Sequence, residues 1–153
     1  MTSANTDSMW MAKALSLAQC AADQGEVPVG AVLVRDERAI ATGWNQPIAR
    51  CDPTAHAEVI ALREAADVLG NYRCLNTTLY VTLEPCLMCV GALLHARVSR
   101  VVFGAFDGRA SVSMQALLSQ DPYRFNHQVV WQGGVMEAAC ADVLRTFFKN
   151  KRR

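Results

Sequence analysis

Residues 78–89, TLYVTLEPCLMC, constrain this chain more than any other stretch. The β-branched and aromatic run TLYVT reads as a short, apolar strand. Glu84 and Pro85 then turn the chain at once into a helix from about Cys86 to His95. A strand that feeds a helix with almost no loop belongs to a sheet covered by helices. The same junction carries two cysteines, 86 and 89, to the amino end of the helix.

The remaining pattern repeats this alternation. After a short disordered N-terminus with possible caps at Thr6 to Ser8, Trp10, Ala14, Leu17 and Ala21 predict an amphipathic helix over 9–24. Apolar residues 28–34 (PVGAVLV), the turn RDER and the returning run AIATGWN predict a hairpin. Residues 45–53 read as a loop, with Pro47 and Pro53 discouraging regular structure. Asp52 and Thr54 stand near the start of a helix over 55–68, whose stripe is Val59, Ile60, Leu62 and Ala66. Strands at 100–104 and 128–131, a short helix near 113–119 and a terminal helix over 135–149 complete the order. The expectation is a single α/β domain over 1–153: a three-layer α/β/α sandwich on a five-stranded mixed sheet, opened by an antiparallel hairpin. No glycine spacing fits a phosphate loop or a dinucleotide fingerprint.

Charge is unevenly placed. Residues 1–96 hold 6 basic and 10 acidic groups, whereas residues 97–153 hold 9 basic and 4 acidic ones, ending in Lys149, Lys151, Arg152 and Arg153. Such a basic end suits either a polyanion or a solubilising tail. Six cysteines show no disulfide framework, and the opening MTSANTDS lacks a basic and an apolar leader region. Reduced thiols in a cytoplasmic protein are therefore expected. The longest nearly apolar run, 86–96, is too short to span a membrane.

Cys86 and Cys89 are spaced so that both sulfurs can face one ion, at a helix end that favours thiolates. His56, in the stretch PTAHAEVIAL, supplies a third ligand and leaves a fourth zinc position open for water. Zinc with two thiolates and a neutral imidazole carries no net charge, so the water it activates needs a nearby base. Glu58, two positions beyond His56, is the candidate, and Glu84 is its competitor, although its place before Pro85 suits a loop-structuring carboxylate. Cys51 is a rival ligand of low rank, since a fourth protein ligand would close the site. His95, His127, Cys20, Cys74 and Cys140 lack ligand spacing.

His-Ala-Glu followed by Pro-Cys-x-x-Cys resembles the zinc-dependent cytidine/deoxycytidylate deaminase superfamily. With EVPVGAVLV (26–34), GWNQPI (43–48), NYR (71–73), TLYVTLEPCLMC and RVVFGAFD (100–107), the likeness extends to the bacterial tRNA-specific adenosine deaminases within it. The resemblance implies one zinc per subunit on His56, Cys86 and Cys89, with Glu58 as proton shuttle. It implies a homodimer that binds a tRNA anticodon stem-loop and converts the wobble adenosine to inosine. Asn45 would hydrogen-bond the nucleoside. Pro28, Val29, Ala57 and Leu83 would line the base pocket, and Asp107, Phe147, Phe148, Lys151 and Arg152 would face the RNA.

One departure stands out. Phe106 occupies the position where the family usually has arginine before the aspartate, and the following segment is about two residues shorter. Phe106 would stack on a flanking base, with Arg109 restoring the charge. Two alternatives remain at this stage: a deaminase of a free nucleoside, nucleotide or base (cytidine, deoxycytidylate or guanine), and a noncatalytic zinc-stabilised RNA-binding protein.

Overall fold

The structure, a computed structural model, describes residues 3–108 and 127–152. Its elements are α1 (Ser3–Asp23), β1 (Gly30–Arg35), β2 (Arg38–Trp44), α2 (Pro47–Arg50), α3 (Ala57–Leu69), β3 (Thr78–Leu83), α4 (Leu87–Ala96), β4 (Arg100–Ala105), β5 (Val130–Gln132) and α5 (Glu137–Lys151). The predicted helix near 113–119 lies outside the described residues. The five strands form one sheet in the order β2-β1-β3-β4-β5. β1 pairs antiparallel with β2 and β3, whereas β3, β4 and β5 run parallel. This is the mixed α/β sheet expected from the sequence.

Strand alternation divides the core into two layers. Ala31, Leu33, Leu79, Val81, Val101 and Phe103 face α3 and α4, whose Ala57, Ala61, Ala65 and Leu93 close that side. Val32, Val34, Tyr80 and Val102 face α1 and α5 through Met11, Ala14 and Cys140. Small residues on the helices bring their backbones close to the sheet. At Gly43 the approach is closest to α3: a Cβ there would collide with the Ala57 carbonyl and lie 2.9 Å from the Ala61 nitrogen.

Three expectations need correction. The first helix begins at Ser3 rather than after Ser8. Asp7, inside the segment expected to be disordered, is 6% exposed and accepts hydrogen bonds from Tyr80 Oη at 2.9 Å and from both terminal nitrogens of Arg100. That anchor orders the first turns. Second, the loop at 45–53 contains the short helix α2, because Pro47 sits at its first position, where the missing N–H costs nothing. Glu26, 2% exposed, accepts from the next two N–H groups, Ile48 at 3.1 Å and Ala49 at 2.9 Å. Third, α3 begins at Ala57 rather than at 55, with His56 flanking it. Asp52 accepts from the Thr54 N–H and hydroxyl at 2.8 and 2.7 Å and shapes the approach to His56.

Candidate active site

Two helix amino ends converge at one place. His56 immediately precedes α3 and Cys86 immediately precedes α4, both in extended backbone, with their carbonyls accepting the first helical bonds from Ile60 at 3.0 Å and Val90 at 2.9 Å. Cys89 lies in the first turn of α4 and is fully buried. His56 Nδ1 stands 3.6 Å from Cys86 Sγ and 3.5 Å from Cys89 Sγ. Zinc bound tetrahedrally at about 2.3 Å from sulfur and 2.0–2.1 Å from nitrogen separates such N and S atoms by about 3.6 Å. Among the described residues, this trio is the one group of three metal-ligating side chains close enough to share an ion. The residues present therefore fit zinc, and Nδ1 is the imidazole nitrogen that faces it.

The electrostatics of the trio agree. Hydrogen bonds from Cys89 and His56 hold the Cys86 thiol at about 4, so it is a thiolate at neutral pH. The Cys89 thiol is pushed far upward, first by the hydrogen bond it donates to that thiolate, then by burial and by the charge of Glu58. His56 is raised, chiefly by its bond to Cys86 and against its own burial. One thiolate thus raises the proton affinity of both neighbours, an arrangement that a dication relieves by displacing protons.

Glu58 follows His56 by two residues in the first turn of α3 and is 4% exposed. Burial, the largest cause, raises its carboxyl above the usual range, opposed by its own N–H, Cys89 and His56. A buried carboxyl against the ligand cluster, with a raised proton affinity, is suited to accept and return protons. Glu84, its competitor in the sequence, is bonded instead to the Asp107 N–H at 3.2 Å. Cys51 is exposed on α2's carboxyl end and lies apart from the cluster. His127 donates from Nε2 to the Val98 carbonyl at 2.7 Å, a structural bond.

The other expected site residues separate into two groups. Pro28 and Val29 are buried at the start of β1, and the Asn45 N–H donates to the Val29 carbonyl at 3.1 Å, joining two strand ends beside α3, where Ala57 is fully buried. Leu83, Phe106, Asp107, Phe148 and Arg152 line an open cleft of about 520 Å³ together with Val27, Ala105 and residues of α5. Lys151 does not. It stands over the Phe147 ring, 5.4 Å from its centroid, and both line a second hollow between α1 and α5. The reason is helical periodicity: residues 147 and 151 share one face, while 148 and 152 share the next. Arg109 lies outside the described residues. Sequence reading missed Arg145, which lines the same cleft with Ala141 and Leu144. The signal was the spacing 141, 144, 145, 148 and 152, a stripe continuous with Phe148.

Phe106 is half-exposed and meets Phe103 edge to face, with centroids 5.0 Å apart. Its ring also lies over Gly133, where a Cβ would come 2.9 Å from the ring edge. The ring is therefore braced from below and forms a firm wall of the cleft.

A three-ligand zinc cradle with a buried glutamate beside it, at the amino ends of two helices on a mixed sheet, defines a hydrolytic metal site of the deaminase kind. The cytidine and deoxycytidylate deaminase zinc-binding region matches residues 4–105, and the chain belongs to that family. Its relatives include the tRNA-specific adenosine deaminase of Haemophilus influenzae, 50% identical over 147 residues, covering 95% of this chain and 85% of that protein. The tRNA-specific adenosine deaminase of Bacillus subtilis is 44% identical over 149 residues, covering 96% and 91%. A solved structure from a study of A-to-I editing by tRNA:A34 deaminases at the wobble position of transfer RNA superposes with a TM-score of 0.83 at 39% identity. It covers 89% of this chain and 99% of the other.

Proposed function

We propose that this protein hydrolytically deaminates the wobble adenosine, position 34, of a tRNA anticodon, giving inosine and ammonia. The observation that carries the reading is the buried Glu58 carboxyl set against the His56, Cys86 and Cys89 cradle. Zinc held there would act as a Lewis acid and make water nucleophilic near neutral pH. Glu58 would take one proton from water as its oxygen bonds to C6 of the purine. The same carboxyl gives that proton to N1 and then carries the proton of the new C6 hydroxyl to the exocyclic nitrogen, so that the C6–N bond breaks, a C6 carbonyl forms and ammonia departs. Val29, Ala57 and Leu83 exclude bulk water from the base, and Asn45 orients the nucleoside. An anticodon base is already unpaired, so its extrusion costs little.

The neighbouring cleft supports an RNA substrate over a free nucleoside. Phe106 and Phe148 offer aromatic walls, and Arg145 and Arg152 supply positive charge at its edge. Homodimerisation in the cytoplasm belongs to the same reading. Leu87, 70% exposed, and the partly exposed Met88 present apolar surface at the start of α4 for a second copy.

The test is incubation with an adenosine-34 anticodon stem-loop and, separately, with free adenosine, cytidine, deoxycytidylate and guanine, scoring inosine and ammonia. Turnover of the RNA with Glu58→Ala inactive supports the reading. Turnover confined to a free base or nucleotide overturns the RNA assignment in favour of the second reading, to which Phe106, by removing a phosphate-pairing cation, lends its one support.

A further inference from the structure

Glu84 is a buried carboxylate that the proposed chemistry leaves unused. It is 6% exposed, in the turn between β3 and α4. Its N–H donates to the Ala105 carbonyl at 2.8 Å, which continues the parallel pairing of Leu83 with Ala105 by one step. β4 ends at Ala105, and the side chain extends the hold two residues further: Oε1 accepts from the Asp107 N–H at 3.2 Å. Among the described residues, Oε2 is the one buried side-chain oxygen without a hydrogen-bond partner.

A buried carboxylate oxygen without a donor is a destabilising arrangement. The backbone bond to Ala105 would form with any residue at this position except proline. Stability alone therefore does not account for a glutamate here. What the carboxylate does touch is the segment carrying Phe106 and Asp107, both of which line the cleft. We infer that Glu84 is a positioning residue for substrate binding. It holds the Phe106–Asp107 segment at the orientation met by the nucleotide flanking the target base. The inference rests on the RNA-deaminase reading above, and deepens it by separating the groups that bind from the group that transfers protons. Glu84 lies two residues from Cys86, so one turn serves both the zinc cradle and the cleft wall.

The experiment compares wild type, Glu84→Ala and Glu84→Gln in zinc content, thermal midpoint, steady-state kinetics on the anticodon stem-loop, and affinity for that hairpin by fluorescence anisotropy. Losing one charge-assisted hydrogen bond corresponds to about tenfold, so Glu84→Ala should raise KM and hairpin Kd by about that factor. kcat should stay within about twofold, because the interaction is made equally in the ground and transition states. Zinc stoichiometry should be unchanged, and the midpoint should equal or exceed that of wild type. Glutamine keeps an acceptor for the Asp107 N–H, so Glu84→Gln should recover most of the binding. An unchanged KM and Kd in Glu84→Ala overturns the inference. So does a fall in kcat at constant KM, or a lowered midpoint with no recovery by glutamine, which would mark a merely structural role. Should wild type bind the hairpin without deaminating it, the deaminase reading falls, and the Kd ratio still decides whether Glu84 positions the cleft.

Discussion

Asp7 and Arg100 meet in a two-point pair, at 2.9 and 2.7 Å, across 93 residues of sequence. The guanidinium fork matches the carboxylate, and Tyr80 Oη donates to the same Asp7 oxygen that takes the 2.9 Å bond. The hydrogen bonds from Arg100, opposed by burial, hold the Asp7 carboxyl below its ordinary value. A carboxyl depressed in the folded state adds stability above its unfolded value, and that stability is lost as pH falls through the folded value. Asp7→Asn should therefore lower stability at pH 7 by about 2 kcal/mol, or about 6 °C in midpoint. The difference between variant and wild type should shrink below about pH 4. Thermal melts over pH 2.5 to 7 check this, and a constant gap across that range would refute it.

Glu58 gives the opposite sign. Its carboxyl is raised by burial, so in the metal-free protein its stabilising contribution is present when it is protonated and is lost as pH rises. Glu58→Gln, similar in shape but uncharged, should melt higher than wild type in the metal-free form at pH 7, with the gap closing toward pH 4. In the zinc-loaded form the same variant should keep its metal and lose about 10²–10⁴ in kcat, the usual contribution of a general acid–base group. Activity within tenfold of wild type would remove Glu58 from the proton-transfer role.

Zinc uptake should expel protons. At neutral pH the metal-free trio holds a thiolate at Cys86, a protonated thiol at Cys89 and a His56 whose proton affinity is raised. All three must present lone pairs to the metal. Titration calorimetry at pH 7 in buffers of different ionisation enthalpy should give about one to two protons released per zinc, and affinity should weaken with falling pH. Release of none would show that both sulfurs were already ionised.

The sheet and the zinc cradle were legible because each rests on local signals. TLYVT, RVVFG and PVGAVLV are strand-like over their own lengths, and Cys86, Cys89 and His56 are placed by the starts of two helices. What escaped depends on distant partners. The order of Ser3–Ser8 follows from Arg100 and Tyr80, and α2 follows from Glu26. A carboxylate in a sequence does not disclose which N–H groups it will reach. Phe147 and Lys151 were expected to face the RNA together with Phe148 and Arg152, but their four-residue spacing puts them on the neighbouring helix face, where Lys151 stands over the Phe147 ring. Arg145 was missed because the terminal helix was read for its basic end rather than for the stripe it shares with Phe148.

Gly43 and Gly91 offer a last, paired prediction. A Cβ on Gly43 would overlap the Ala57 carbonyl and crowd the Ala61 nitrogen, both backbone atoms of α3 that cannot rotate away. α3 would have to move off β2, and with it His56 at its start and Glu58 in its first turn. Overpacking of this kind costs about 1–3 kcal/mol, and a shift of about 1 Å at a reacting group costs about 10²-fold in rate. Gly43→Ala should therefore lose activity by about that factor and bind zinc more weakly even where it remains folded. Gly91, within α4, faces open space, and a methyl group added there would meet no atom inside 4 Å beyond its own helix backbone. In the isolated subunit Gly91→Ala should add about 0.5–1 kcal/mol, the helical preference for alanine. Melting curves, zinc competition assays and stem-loop turnover on the two variants decide the point. A Gly43→Ala protein with wild-type turnover would mean that the α3 amino end is not held by its contact with β2.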